Sequence, residues 1–191
     1  MGRAKLLLPH RGTTLLGSLL AALRDGGASP IVAVAAAGDA ALAAWCGAAA
    51  AAGGACPGLR LAWNPRPERG MLSSVLAGIA ALGGAAAVAG GGAPLLITPG
   101  DLPALRAATV AALIERRSAA GARLAVPVHA GQRGHPLAVA AALVPEIERL
   151  DPARGLRQLL DLYAGELLAV EVDDPGCVGD VDTPADYARL V

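Results

Sequence analysis

Pro94-Leu95-Leu96-Ile97-Thr98-Pro99-Gly100-Asp101-Leu102-Pro103 is the stretch from which the fold is read. Leu95-Leu96-Ile97 is apolar, too short for a helix, and bounded by Gly and Pro, which is the pattern of a buried strand in a parallel sheet. Pro99 and Gly100 stop the ladder, and Asp101 follows at once. A carboxylate just past the C-terminal end of a buried strand lies where open α/β sheets bind ligands. The same carboxylate could instead cap a helix starting near Leu105.

Outward from this stretch, apolar runs of two periods alternate. Leu15, Leu16, Leu19, Leu20 and Leu23 recur at helical spacing within Thr13–Arg24, and Gly26-Gly27 ends that helix. Ile31–Val34 and Leu59–Trp63 read as strands. Between them lies a helix that Asp39 caps and Gly53-Gly54 closes. Asn64–Gly70 is a polar loop before a helix over Leu72–Leu82, and Ala85–Ala93 reads as a mobile Ala/Gly surface connection. Helices over Leu105–Ser118, Pro145–Leu150 and Gly155–Tyr163 are interleaved with strands at Leu124–Val128, Leu137–Ala140 and Leu167–Val172. Thr183-Pro184-Ala185-Asp186 opens the last helix, with Thr183 as N-cap and Pro184 at the first helical position. Strands alternating with helices imply βαβ units and a mostly parallel sheet. No repeat or long linker divides the chain, so residues 1–191 are expected to form a single domain.

Composition narrows the function classes. Sixteen Lys and Arg balance sixteen Asp and Glu, so no basic field supports nucleic-acid binding. Cys46, Cys56 and Cys177 are an odd, scattered set with no Cys-x-x-Cys, which argues for a reducing cytoplasm and against a disulfide framework or zinc cluster. Apolar residues make up 54% of the chain, yet Gly, Pro and charges interrupt every run before it reaches membrane-span length. Leu6-Leu7-Leu8 ends at Pro9, too short for the core of an export signal.

Four groups of residues can carry chemistry. Lys5, near a Gly, can neutralise phosphate, but the Gly-x-x-x-x-Gly-Lys-[Ser/Thr] of an ATPase loop is absent. Gly70-Met71-Leu72-Ser73-Ser74 opens a helix, where free N–H groups and two hydroxyls suit a phosphate, ribose or base edge, although Ser73 can also be a simple cap. Asp180-Val181-Asp182 places two carboxylates on one face of an extended piece. Such a pair is costly without a cation, and together with Asp101 it makes a hard-oxygen site suited to Mg²⁺. His135 lies in a loop between Gly134 and Pro136, with no second His at metal-ligand spacing. No Gly-x-Ser-x-Gly and no Cys/His pairing suggests a covalent nucleophile.

Taken in order, these pieces resemble the molybdenum-cofactor nucleotidyltransferases, and their cytidylyltransferase branch in particular. The resemblance lies in Met1-Gly2-Arg3-Ala4-Lys5-Leu6-Leu7-Leu8-Pro9, in Asn64-Pro65 with Gly70-Met71-Leu72-Ser73-Ser74-Val75 and Gly78, and in Asp101-Leu102-Pro103. Gly131-Gln132-Arg133-Gly134-His135-Pro136 and Asp180-Val181-Asp182-Thr183-Pro184-Ala185-Asp186-Tyr187 complete it. The resemblance implies a three-layer α/β fold with a mostly parallel, doubly wound, Rossmann-like sheet. It implies transfer of CMP from CTP to the terminal phosphate of a molybdopterin-type cofactor, with release of pyrophosphate, in the maturation of molybdenum hydroxylases. By position, Lys5 and Asp101 are catalytic, and Gly2, Lys5, Gly70, Ser73 and Ser74 surround the nucleotide. Asp101 and Asp182, with Asp180 as a further candidate, hold Mg²⁺, and Gly134 and His135 lie on the pterin side. Partners are then CTP, the cofactor, and an apo molybdenum hydroxylase or its chaperone, with no nucleic acid and no membrane. Two other readings fit the same residues. One is a cytidylyl- or guanylyltransferase acting on an alcohol or sugar phosphate. The other is a truncated, non-catalytic cofactor-binding protein.

The departure from the pattern is at the front. The family begins with a strand and a glycine loop resembling Leu-Ala-Ala-Gly-x-Ser-x-Arg, and this chain starts inside that loop. The first strand is therefore expected to be missing, and the working protein to begin roughly 20 residues upstream. On that expectation a gap or exposed edge borders Ile31–Val34 or Leu95–Ile97. Lys5 then sits on a loose terminus, and the chain as written is poorly soluble and close to inactive.

Overall fold

The computed structural model describes residues 3–190, with side chains from Lys5 onward, so Gly2 lies outside the described residues. A 3-10 turn, Arg3–Leu7, leads into a small antiparallel ladder of β1 (Pro9–His10) and β2 (Thr13–Thr14). In α1 (Leu15–Asp25) the five leucines at helical spacing are buried, and the Thr14 hydroxyl accepts the Gly17 N–H as a cap. β3 (Val32–Ala36) pairs in parallel with β4 (Arg60–Asn64). The crossover helix α2 (Ala40–Ala50) is capped by Asp39, which accepts the Leu42 N–H. α3 (Met71–Ala81) follows, and Gly78 lets it lie close on β3: a Cβ there would stand 3.2 Å from Val34 Cγ2.

The second half adds α4 (Ala85–Gly90), β5 (Leu95–Ile97), α5 (Ala107–Ala120), β6 (Leu124–His129), β7 (Gln132–Arg133) and β8 (Leu137–Val139). It closes with α6 (Val144–Ile147), α7 (Arg157–Leu162), β9 (Leu167–Glu171) and α8 (Pro184–Leu190). β5, β6 and β9 run in one direction, while β8, between β5 and β6, is antiparallel to both. The period-2 pattern of β6 sorts its residues to opposite faces. Leu124 and Val126 join Leu72, Ile79, Val144, Ile147 and Leu159 from α3, α6 and α7. Ala125 faces the other way, towards Leu113 of α5 and Val170 of β9. Helices thus cover both faces of a mostly parallel sheet, the three-layer α/β arrangement expected. No helix among the described residues is long and apolar enough to cross a membrane.

Two local expectations are corrected. Ala85–Gly90 is a helix and not a loose connection: alanine is the best helix former, and buried Ala85 allows α4 to pack closely on α6. α5 starts at Ala107, two residues later than Leu105, because its cap comes from a distant carboxylate. The described ladder has a gap, as expected beside Ile31–Val34 or Leu95–Ile97. Among the described residues β3 pairs only with β4 and β5 only with β8, so the ladder is interrupted between β3 and β5. Leu6 and Leu7 of the opening turn pack into the core cluster formed by α1, α2 and Ala35 of β3.

Candidate active site

Three chain segments far apart in sequence meet at the C-terminal end of β5. Thr98-Pro99-Gly100 carries the chain out of the sheet to Asp101, whose carbonyl accepts the Val181 N–H at 3.1 Å. That bond docks the Asp180-Val181-Asp182 segment, in which Val181 is buried and both aspartates are exposed. Lys5 Nζ then donates to Asp101 Oδ2 at 2.8 Å and to Asp182 Oδ1 at 3.1 Å. Burial opposes the charge on Lys5, but hydrogen bonds and charge from Asp101 and Asp182 outweigh it and hold its pKa above the ordinary lysine value. The Tyr187 hydroxyl of α8 adds a second tether, donating to the Pro9 carbonyl at 2.7 Å. Lys5 is therefore pinned between two carboxylates. The expectation of a loose Lys5 is wrong, and with it goes that argument for inactivity.

Asp101 does not cap α5. Asp174 does: its carboxylate accepts the Arg106 N–H at 2.9 Å and the Thr109 hydroxyl at 2.6 Å, and its other oxygen accepts the Gly176 N–H at 2.9 Å. Asp174 is fully buried and joins the start of α5 to the loop that leads to Asp180. Sequence reasoning missed it, although Asp174-Pro175-Gly176 carries the signal of an Asx turn.

At the start of α3, Gly70 has φ 80° and ψ −172°, a backbone region essentially reserved for glycine. The Ser73 hydroxyl is held by the carbonyls of Gly70 at 2.7 Å and Arg66 at 3.0 Å. Buried Asn64 donates to both Ser73 Oγ at 2.8 Å and Ser74 Oγ at 2.9 Å, and accepts the Arg66 N–H at 2.8 Å. Ser73 thus staples the Asn64–Gly70 loop, and Ser74 presents a hydroxyl that Asn64 orients. Asn64 is a second residue sequence reasoning left out of the site, although Asn64-Pro65 stood in the motif.

Opposite lies the β7–β8 loop. A Cβ on Gly134 would stand 2.4 Å from the Cys177 carbonyl oxygen, so only glycine allows this approach, and the His135 N–H seals it by donating to Cys177 O at 2.8 Å. A cavity of about 220 Å³ opens here, lined by Pro99, Arg133, Gly134, His135, Cys177 and Asp180 among others. A second, of about 240 Å³, shares Pro99, Arg133, Gly134 and His135 and reaches Met71 at the start of α3. The Cys177 thiol is pushed up to about 11 by burial and by the Asp174 charge, so it is protonated at neutral pH and offers no nucleophile.

Burial lowers the pKa of His135, only partly offset by Asp101 and Asp180. Burial and the Arg11 charge likewise lower that of His10, whose Nδ1 lies 2.8 Å from Ser18 Oγ. A histidine with a depressed folded-state pKa stabilises the fold fully above its unfolded value of about 6.5, and the stability is lost as pH falls below that. Asp186, lowered by its hydrogen bonds to Thr183, acts only below the ordinary carboxylate range. We therefore expect the thermal midpoint to be lower at about pH 5.5 than at 7.5, and a His10→Gln/His135→Gln double variant to show a flatter profile.

A protein-family profile described as "MobA-like NTP transferase domain" matches residues 1–169. The chain belongs to that family. No curated protein matches it. Among solved structures, Rv0371c of Mycobacterium tuberculosis H37Rv is 25% identical, with a TM-score of 0.73 over 100% of this chain and 90% of that one. The same protein is also solved as a complex with manganese, at 24% identity and a TM-score of 0.67 over 97% and 90% of the two chains. A 4-diphosphocytidyl-2C-methyl-D-erythritol synthase shares the fold at 18% identity, TM-score 0.68, covering 97% of this chain and 92% of its own. So does molybdopterin-guanine dinucleotide biosynthesis protein A of Archaeoglobus fulgidus, at 16% identity, TM-score 0.58, covering 97% and 88%. The chain is thus a nucleotidyltransferase with a nucleotide as substrate.

An anionic triphosphate approaching this cluster would meet an excess of negative charge. Asp101, Asp182 and nearby Asp180 outnumber Lys5, so the carboxylates repel that substrate unless a cation intervenes. The described residues contain no group of three or more His, Cys, Asp or Glu that could enclose a metal. Two carboxylates do suffice for Mg²⁺, which keeps several waters and takes further oxygens from phosphates. Asp101 and Asp182, brought together on one ammonium, fit that pattern, whereas Asp180 borders the cavity beside them and does not join Lys5.

Proposed function

We propose that this domain, comprising residues 1–191, transfers CMP from CTP to the terminal phosphate of a molybdopterin-type cofactor and releases pyrophosphate. The observation that carries the reading is the cluster of Lys5, Asp101 and Asp182 at the end of β5 in a MobA-like domain. An oxygen of the acceptor phosphate attacks the α-phosphorus of CTP. The new P–O bond forms as the bond to the β-phosphate oxygen breaks, and the electron pair leaves with pyrophosphate. Such a step needs positioning and charge neutralisation more than a covalent nucleophile. Mg²⁺ held by Asp101 and Asp182 supplies Lewis-acid stabilisation of charge. Lys5 contributes a fixed positive charge for the triphosphate, and Gly70, Ser73 and Ser74 form the wall for base and ribose. Gly134 and His135 face the acceptor. We place the reaction in the cytoplasm, with the product passed to an apo molybdenum hydroxylase or its chaperone.

CTP is preferred over GTP on this reading. The Ser74 hydroxyl, oriented by Asn64 at the start of α3, pairs on this reading with a pyrimidine edge, and a purine needs a wider slot. Ser74→Ala should weaken CTP binding by about 1–3 kcal/mol, or roughly 5- to 150-fold, and narrow the preference. Turnover measured with CTP and with GTP against the cofactor checks this, and a preference for GTP sinks it. A second acceptor class, alcohol phosphates, is favoured by the shared fold of the 4-diphosphocytidyl-2C-methyl-D-erythritol synthase. The same assay with a sugar or alcohol phosphate in place of the cofactor separates the two.

A further inference from the structure

The larger of the two adjoining cavities has a chemistry of its own. Ile97, Val126, Leu137, Leu156, Leu160 and Leu167 supply most of its wall, so a ligand entering it meets hydrocarbon. Two polar groups in its lining stand without partners. The Arg133 side chain is exposed and makes no hydrogen bond or ion pair among the described residues. His135 Nδ1 is buried and has no hydrogen-bond partner. Both residues also line the smaller cavity that Asp180 borders, and Pro99, two residues before Asp101, lies in the wall of both.

We infer that the two cavities form the acceptor subsite and that it takes a phosphomonoester with an apolar body, Arg133 holding the phosphate and the hydrocarbon-lined pocket the body. The inference rests on the transferase reading and narrows its acceptor. A guanidinium presents a planar fork of donors that matches a phosphate. A body rich in hydroxyls would give up hydrogen bonds to water on entering, and only His135 Nδ1 offers a replacement. The pocket therefore discriminates against sugar and glycerol phosphates by leaving their hydroxyls unpaired. A molybdopterin-type acceptor enters by the end that bears its phosphate and leaves the hydrogen-bonding edge of the pterin outside. Pro99, in the wall of both cavities and two residues before Asp101, puts the phosphate near the transferase cluster on this reading.

The test is calorimetric titration of the whole chain with 1-naphthyl phosphate, glycerol 3-phosphate and inorganic phosphate, each alone and in the presence of saturating CTP and Mg²⁺. Naphthyl phosphate should bind at least about tenfold tighter than glycerol 3-phosphate, which should match inorganic phosphate. Arg133→Gln, an exposed change that leaves the core intact, should weaken naphthyl phosphate about tenfold. Leu160→Asn should remove the advantage of the naphthyl group and leave inorganic phosphate unchanged. Equal affinity for naphthyl and glycerol phosphates, or no effect of Arg133→Gln, overturns the inference. A chain that binds CTP but none of the phosphomonoesters in either condition overturns it too, and leaves the transferase reading standing. Naphthyl phosphate binding without CTP binding overturns the transferase reading, and with it the assignment of the pocket to an acceptor.

Discussion

Asp101→Asn is expected to lower nucleotidyl transfer by at least about 100-fold while the fold survives. The amide has the shape of the carboxylate and keeps an oxygen to accept from Lys5, which also retains Asp182 at 3.1 Å. The Asp101 backbone carbonyl that holds Val181 is untouched. The stability cost is then about 1 kcal/mol, the net worth of one ordinary hydrogen bond. On the proposed function the cost to turnover is larger, because a neutral amide neutralises and holds a divalent cation less well than a carboxylate. Losing one preorganised charge-stabilising group typically slows a reaction by about 100- to 1000-fold. Turnover and thermal midpoint measured on the same preparation check both halves. Normal turnover in the variant would show that Asp101 is not part of the catalytic cluster.

Asp174→Ala is expected to have the largest effect on stability. The change strips partners from the Arg106 N–H, the Thr109 hydroxyl and the Gly176 N–H in a buried site. Each orphaned donor costs about 1–3 kcal/mol, and water entering the space recovers part of it. A net loss of about 3–5 kcal/mol is a large share of the roughly 5–15 kcal/mol that stabilises a domain. At about 2–4 °C per kcal/mol for a chain of this size, the thermal midpoint should fall by roughly 6–20 °C. Asp174→Asn keeps the shape and one acceptor oxygen and should fall between the variant and the parent. Because Asp174 also anchors the loop before Asp180-Val181-Asp182, surviving Asp174→Ala protein should bind CTP more weakly. A midpoint within about 2 °C of the parent would mean the cap is dispensable.

The sheet and half of the site are legible in the residues because their causes are local. A three-residue apolar run between Gly and Pro reads as a strand, and the carboxylate that follows Leu95–Ile97 falls at the sheet edge by construction, although β5 is half-buried rather than buried and its described partner, β8, is antiparallel. Asp182 before Thr183-Pro184 is placed by the cap of α8, in which Thr183 and Asp186 bond each other. What is not local is not legible. Lys5 pairs with residues 96 and 177 positions away, and no periodicity encodes that; only resemblance to a family brought the three together. Asp174 announces a turn, but nothing near it says that the turn caps a helix starting 68 positions earlier. β8 is likewise antiparallel to both its neighbours, which Leu137–Val139 themselves do not announce. α4 was hidden by its composition: Ala and Gly read as low complexity, whereas the small faces are what let the helix approach its neighbours.

Pyrophosphate release from CTP, with Mg²⁺ and a molybdopterin-type cofactor present, is the measurement closest to the central claim. The cluster of Lys5, Asp101 and Asp182 predicts release that requires cofactor and divalent cation, stops on chelation, is faster with CTP than with GTP, and disappears in Asp101→Asn. Release that persists after chelation, or that Asp101→Asn leaves at the parent rate, would contradict the account.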